Sequence, residues 1–117
     1  MKMLLVIGDE KKILKMFDKL LRMEGFHVVT ASNVEDATEI VIRGAVDLAL
    51  LDIRMPEING KTMYEVIREY DTLIKVLVTS VFSLGNQKRM IVGAQGYHDK
   101  AHGNAVLLKK IQEVLCL

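Results

Sequence analysis

Two aspartates, a serine and a lysine of this 117-residue chain each stand at the end of a short apolar segment. Asp52 directly follows an apolar run at residues 48–51, and Asp9 follows the first apolar segment of the chain. Ser80 and Lys100 close two later segments. Carboxylates can hold a divalent cation, while a hydroxyl and an ammonium can bind an anion. Whether the four groups act together depends on the elements that carry them.

Short apolar segments alternate with amphipathic segments along the whole chain. The run at residues 48–51 has no polar side chain and is too short for a helix, which predicts a strand buried on both faces that ends at Asp52. Further strands are predicted at residues 3–7, 27–31, 75–80 and 96–100. The segments between and after them carry apolar residues at helical spacing, which predicts five helices. We expect the first helix to end at Gly25 and the second to end at Gly44.

This alternation of strand and helix predicts an α/β fold with a parallel sheet covered on both faces. Right-handed crossovers favour a doubly wound arrangement, and for five units we expect the flavodoxin-like strand order 2-1-3-4-5. The sequence contains no repeat, linker or low-complexity segment. We therefore expect one domain over residues 1–117, built as a five-stranded (βα)5 three-layer sandwich.

In this strand order the four polar residues lie at one edge of the sheet, with Asp9 and Asp52 on adjacent strands. Each could instead serve only its own turn, but convergence from four segments favours a common site. Two nearby carboxylates attract a hard cation, and an incomplete set of oxygen ligands suits Mg²⁺ better than Ca²⁺. With Ser80 and Lys100 such a site could receive a phosphoryl group on Asp52 as an acyl phosphate.

Three local patterns refine the predicted elements. Pro56, the only proline of the chain, should end the central strand in a stiff loop, and Gly60 should permit the turn into the third helix. Ser32 and Glu35 form a capping-box pattern that should open the second helix. His98 and His102 are close in sequence, but two imidazoles make a poor prediction of a metal site.

Composition excludes several classes of protein. The net charge of +1 gives no general attraction to nucleic acid or to an anionic membrane surface, so we expect neither as a partner. No apolar run is long enough to span a bilayer. A single cysteine, Cys116, cannot form an internal disulfide, which favours a reducing, cytoplasmic location.

The sequence resembles the receiver domains of bacterial two-component response regulators, which are CheY-like in fold. The resemblance lies in Asp9-Glu10, in the Asp-x-x-Met-Pro-x-x-x-Gly pattern at residues 52–60, in Ser80, and in residues 93–100. It implies phosphorylation of Asp52 by a histidine kinase or phosphotransferase. The chain would thus be a signalling domain that assists its own phosphoryl transfer and dephosphorylation, not an enzyme in the usual sense.

The same resemblance implies roles for the remaining site residues. Mg²⁺ would be held by the carboxylates of Asp9 and Asp52 and the backbone carbonyl of Arg54, with Glu10 as a further candidate. 

Ser80 and Lys100 would bind the phosphoryl oxygens. Tyr97 would be an aromatic switch that turns inward when Ser80 moves toward the phosphoryl group; taken alone, it reads as a half-buried strand residue whose hydroxyl reaches water. The surface of the fourth helix, fifth strand and fifth helix would then change for a downstream effector protein or for a homodimer.

The chain departs from the family pattern at two positions. Gly8 replaces the first of two adjacent acids, which holds the metal through water, so we expect Mg²⁺ affinity to fall by about tenfold. Ala101 replaces a proline that often follows a cis bond. A cis bond before alanine costs about 2.5–4 kcal/mol, so we expect a trans bond and a shifted loop around Lys100. The segment from Ser80 to Lys100 is also about two residues short, and we expect the deletion in the fourth helix.

Two other functions remain in competition. Gly8 and Ala101 could mark a pseudo-receiver, a binding or dimerisation module that signals without phosphate. A flavin-binding protein of the same fold would need a loop rich in Ser, Thr and Gly after the first strand. Residues 8–12 form no such loop, so we favour the phospho-accepting receiver.

Overall fold

A computed structural model of the chain describes residues 1–54 and 58–117. Five parallel strands form one sheet in the order β2-β1-β3-β4-β5, as predicted. The flavodoxin-like fold expected from the alternating pattern is therefore confirmed. The strands are β1 (Met3–Ile7), β2 (His27–Ala31), β3 (Leu48–Ile53), β4 (Lys75–Ser80) and β5 (Gly96–Asp99).

Helices cover both faces of this sheet. On one face, side chains of the first and last helices pack with Leu50 and Leu77 of the sheet; on the other, the three middle helices pack with Leu51 and Val78. The helices are α1 (Lys11–Met23), α2 (Val34–Arg43), α3 (Ile58–Tyr70), α4 (Leu84–Met90) and α5 (Asn104–Val114). No helix in the described part of the chain is long and apolar enough to cross a membrane.

The central strand β3 is apolar apart from Asp52 because it is buried on both sides. Successive strand residues point to opposite faces. Leu48 and Leu50 therefore join the core beneath α1 and α5, while Ala49 and Leu51 join the core beneath α2, α3 and α4. The strand brings Asp52 to the edge of the sheet with only 8% of its surface exposed.

Gly60 has a different role from the one predicted. It lies inside α3 rather than in a turn before it. A Cβ atom at this position would lie 2.8 Å from Cδ1 of Ile53, so glycine is needed for close approach of α3 to β3. The predicted effect of Pro56 falls on residues 55–57, outside the described part of the chain.

The predicted capping residue of α2 was wrong by one position. Asn33 is the N-cap, and its side-chain oxygen accepts a 2.8 Å hydrogen bond from the backbone N–H of Asp36. The side-chain amide of Asn33 also donates to the carboxylate of Asp36, which adds a bond that Ser32 could not supply. Asn33 also has the extended backbone conformation that an N-cap residue requires.

The end of β5 also differs from the prediction. The strand stops at Asp99, and Lys100 opens a single 3₁₀ turn, η1 (Lys100–His102). The Asp99 side chain accepts a 2.9 Å hydrogen bond from the Ala101 N–H, and the Gly103 N–H donates to the Lys100 carbonyl. The bond between Lys100 and Ala101 is trans, as expected. Lys100 thus projects from a short turn that is hydrogen-bonded at both ends.

Candidate functional site

Asp52 and Lys100 form an ion pair at the carboxyl edge of the sheet. The Lys100 Nζ lies 2.8 Å from the Asp52 Oδ1, and the side chains are 23% and 2% exposed, respectively. The contact joins β3 to η1 across β4, which lies between β3 and β5 in the sheet. Partial burial strengthens such a pair because little water screens the charges.

The surroundings of Asp52 disfavour its ionised form. Burial raises the pKa of the Asp52 carboxyl above its ordinary value, and the nearby charge of Asp9 acts in the same direction. The Lys100 ammonium and the Arg54 guanidinium counteract this rise. A charged Asp52 therefore relies on the cations around it, and an additional cation would stabilise the charge further.

A cavity of about 470 Å³ opens beside this carboxylate. Gly8, Asp9, Asn33, Asp52 and Arg54 are among its lining residues. Gly8 is buried beside Asp52 and presents no side chain on the β1 side of the carboxylate. A Cβ atom there would lie 3.3 Å from Cβ of Asp52 and 3.6 Å from its Oδ2. Gly8, where the sequence departs from the family pattern, therefore lies directly against Asp52.

The residues around the cavity fit a hard divalent cation. Buried Oδ1 of Asp52 receives no hydrogen bond with good geometry from the described residues, and the Lys100 ammonium is its close charged neighbour. The exposed Asp9 brings a second carboxylate to the same cavity, and Arg54 belongs to its lining. Oxygen donors with room for water are what Mg²⁺ prefers.

Glu10 is engaged elsewhere. Its Oε2 lies 3.0 Å from Nη1 of Arg54, with both side chains partly exposed, so the pair links the loops that follow β1 and β3. Among residues 1–54 and 58–117, no three acidic, histidine or cysteine side chains cluster as metal ligands would. Asp9 and Asp52 are the carboxylates among the residues that line the cavity.

Ser80 is the last residue of β4, and Tyr97 is the second residue of β5. Ser80 is fully buried, and its Oγ accepts a 3.2 Å hydrogen bond from the Phe82 N–H. The Tyr97 hydroxyl donates to the Ile91 carbonyl at 2.6 Å and accepts from the Ala94 N–H at 3.2 Å. Tyr97 is a half-buried strand residue, as the alternative interpretation expected, but its hydroxyl is bonded to backbone groups of the α4–β5 connection.

Sequence reasoning missed a buried polar cluster beside these residues. The His98 Nδ1 lies 2.8 Å from the Thr79 Oγ1, and its Nε2 lies 2.9 Å from the Gly103 carbonyl oxygen. The buried amide of Gln87 donates to the carbonyls of Phe82 and His98. The available signal was a polar residue inside each of two predicted strands, Thr79 on β4 and His98 on β5. Recognising that these two residues meet requires the register between the strands.

Comparison with known proteins places the chain in one group. Residues 4–112 match the family described as the response regulator receiver domain. The chain is 33% identical to the chemotaxis protein CheY of Treponema pallidum over 118 residues, which cover 95% of this chain and 81% of that protein. It is 28% identical to the transcriptional regulatory protein CpxR of Escherichia coli, covering 98% of this chain but half of that relative.

Comparison with solved structures leads to the same group of proteins. The response regulator TrrA of Thermotoga maritima, in complex with Mg²⁺ and BeF, is 30% identical and superposes with a TM-score of 0.85, covering 97% of this chain and 99% of that one. TrrA in complex with the histidine kinase ThkA matches with a TM-score of 0.82 at 30% identity, covering 98% and 99% of the two chains. The fold described above therefore occurs in a known class of signalling protein.

Proposed function

This chain belongs to the response regulator receiver family, and from that premise we propose that it accepts a phosphoryl group on Asp52. An Asp52 oxygen would attack phosphorus while the bond from phosphorus to the donor breaks, leaving an acyl phosphate on Asp52 and the electron pair on the donor. One observation carries the assignment: a carboxylate at the edge of the sheet, largely buried yet open to a cavity, and paired with Lys100 at 2.8 Å.

The neighbouring residues would share the charge of the arriving group. Lys100 would exchange part of its contact with Asp52 for a phosphoryl oxygen, which is an electrostatic role that needs no change in its protonation. Asp9, Asp52 and the backbone carbonyl of Arg54 would hold Mg²⁺, with Glu10 left to its ion pair with Arg54. Bound Mg²⁺ would neutralise phosphoryl charge and orient the group for in-line attack.

Ser80 and Tyr97 would carry the signal to the surface. If the Ser80 hydroxyl turned toward the phosphoryl group, it would give up its bond from the Phe82 N–H. That movement would alter the end of β4 beside β5, where Tyr97 is held by the Ile91 carbonyl. The face formed by α4, β5 and α5 would then present a different surface to an effector or to a second copy of the chain.

The proposed partners follow from the relatives. TrrA binds a histidine kinase, so a histidine kinase or phosphotransferase is the proposed phosphodonor here. The chain spans about half the length of the CpxR relatives that it matches, so the downstream effector is a separate proposal. We treat residues 1–117 as one receiver domain that acts in the cytoplasm, without direct contact with nucleic acid or membrane.

A second candidate function has a specific observation in its favour. Gly8 leaves the Mg²⁺ site with one acid fewer beside Asp52. If that loss prevents useful Mg²⁺ binding, the chain would be a pseudo-receiver that binds partners without phosphate.

A direct test incubates the protein with Mg²⁺ and acetyl phosphate and then measures the intact mass. We expect one added phosphoryl group in the wild type and none in Asp52→Asn. The matched control is Asp18→Asn, which changes a surface aspartate paired with Arg22 on α1 and should be modified like the wild type. Absence of the adduct at high Mg²⁺ would reject phosphorylation and favour the pseudo-receiver.

A further inference from the structure

A buried histidine lies beneath the turn that carries Lys100. His98 is 1% exposed, and Thr79, which faces it across the β4–β5 pair, is fully buried. The imidazole touches Thr79 Oγ1 at 2.8 Å on one side and the Gly103 carbonyl at 2.9 Å on the other. A fully satisfied imidazole in this position links three segments: β4, β5 and the end of η1.

The two partners fix the tautomer of His98. A carbonyl oxygen can only accept, so Nε2 of the imidazole must carry the hydrogen that reaches Gly103. In the neutral ring Nδ1 is then an acceptor, and the hydroxyl of Thr79 donates to it. The neutral form satisfies every polar atom of the ring without a buried charge.

The Gly103 carbonyl is the critical end of this bridge. Gly103 is the N-cap of α5, and its N–H donates to the carbonyl of Lys100. Its φ of +87° lies in the region that glycine adopts freely, and Ala101 lacks the ring that would stiffen the preceding turn. The Asp99 side chain and the Lys100 carbonyl hold the turn from its own backbone side, and the Leu107 N–H donates to the Gly103 carbonyl from α5. The His98 contact adds a bond from beneath, which ties the turn to the sheet.

We propose that His98 is a positioning residue whose bridge from Thr79 to Gly103 fixes the turn from which Lys100 reaches Asp52. The inference deepens the proposed function, because the Lys100 ammonium is the group assigned to the phosphoryl oxygens. His98 itself touches neither Asp52 nor the incoming group. Burial lowers the pKa of His98, in keeping with the neutral ring that the geometry requires.

The first test needs no phosphoryl transfer. Amide hydrogen exchange at Ala101 and Gly103 is compared in the wild type, His98→Leu and His98→Gln. Leucine removes both hydrogen bonds, and we expect exchange at these amides to rise at least tenfold. Glutamine can present an N–H near the position of Nε2, so protection should largely return. Unchanged exchange in His98→Leu would overturn the proposal.

The second test asks whether His98 acts through Lys100. The rate of phosphorylation by acetyl phosphate is measured for His98→Leu, Lys100→Met and the double variant. We expect His98→Leu to lower the rate at least fivefold beside the native lysine, and to lower it no further beside methionine. An equal loss in both backgrounds would show that His98 acts on stability alone and would contradict the proposal.

A control variant separates positioning from general weakening of the fold. Ile111→Ala removes buried side-chain atoms from α5 without touching the bridge. At equal loss of stability it should slow phosphorylation less than His98→Leu; an equal slowing would overturn the proposal. If the wild type takes up no phosphoryl group, the proposed function fails, while the exchange experiment still decides whether His98 holds the Lys100 turn.

Discussion

The properties of the site depend on the charged groups around the buried Asp52 carboxylate. Among the described residues, Lys100 is in direct ionic contact with it, while Gly8 adds no side chain beside it. Burial disfavours the charged carboxylate, so each cation near it has a large effect. Substitutions at position 8 should therefore change cation binding more than they change the fold.

We expect Gly8→Asp to bind Mg²⁺ about tenfold more tightly, because a third carboxylate would hold the ion through water. The new Cβ would lie 3.3 Å from Cβ of Asp52 and 3.4 Å from Cδ2 of Leu14, so the leucine must shift by a few tenths of an ångström. Without Mg²⁺ the added charge should lower the free energy of unfolding. Titration with Mg²⁺ by calorimetry measures the affinity.

Gly8→Asn is the matched control for this change. It introduces the same Cβ and nearly the same volume without the charge, so its Mg²⁺ affinity should stay near the wild-type value. An affinity of Gly8→Asp equal to that of Gly8→Asn would contradict the role assigned to the missing acid.

Helix α2 depends on its cap. Asn33→Ala should lower the free energy of unfolding by about 1 kcal/mol, because the Asp36 N–H at the start of α2 loses its acceptor. Chemical denaturation measures the loss. Ser32→Ala is the control, since Ser32 supplies no cap, and its effect should be clearly smaller. If the two variants were equally destabilised, the capping assignment would be wrong.

The bounds of secondary-structure elements could be predicted from the sequence where one physical cause determined them. Bounds of β1, β2 and β4 matched the prediction. In β1 and β4 a short run that is mostly apolar and buried leaves little choice of secondary structure. The approach of Lys100 to Asp52, and the position of Asp9 at the same cavity, followed from strand order alone. Contacts between elements did not follow, because they depend on register and distance.

Gly60 and His98 illustrate this limit. The sequence indicates that Gly60 provides either backbone freedom or room for a close neighbour. The structure decides for the second, because a Cβ atom at Gly60 would lie 2.8 Å from Cδ1 of Ile53. His98 appeared only as a weak metal ligand, because its partner Thr79 is nineteen positions away and pairs with it through the β4–β5 register.

On the scale of the whole molecule, stability should depend on pH through His98. Its pKa is below the ordinary value of 6.5 in the folded state, so the unfolded chain binds a proton more readily as the pH falls. The contribution is complete above about pH 6.5 and declines below it, by up to about 1.4 kcal/mol per pH unit, until the folded pKa is reached. Urea unfolding at pH 7.5 and 5.5 measures this loss.

The charged groups around His98 support that direction. Lys110 on α5 and His102 in η1 oppose a positive imidazole, while Asp99 favours one. Asp52 acts in the opposite sense. Because its pKa is raised in the folded state, its contribution to stability increases as the pH falls through the folded pKa toward the ordinary value of 3.8. His98→Gln isolates the histidine contribution: its stability should fall less between the two pH values. An identical fall would contradict the assignment.

The edges of the sheet have a consequence for solubility. The two outermost strands of an open sheet have unpaired backbone groups, which can pair with strands of other chains and begin aggregation. Here both edge strands are short, with five residues in β2 and four in β5. The Arg22 guanidinium donates to the Val28 carbonyl at 2.8 Å, placing a positive charge against β2. Short strands and this charge together discourage edge-to-edge pairing, so a concentrated solution of the protein should resist fibril formation.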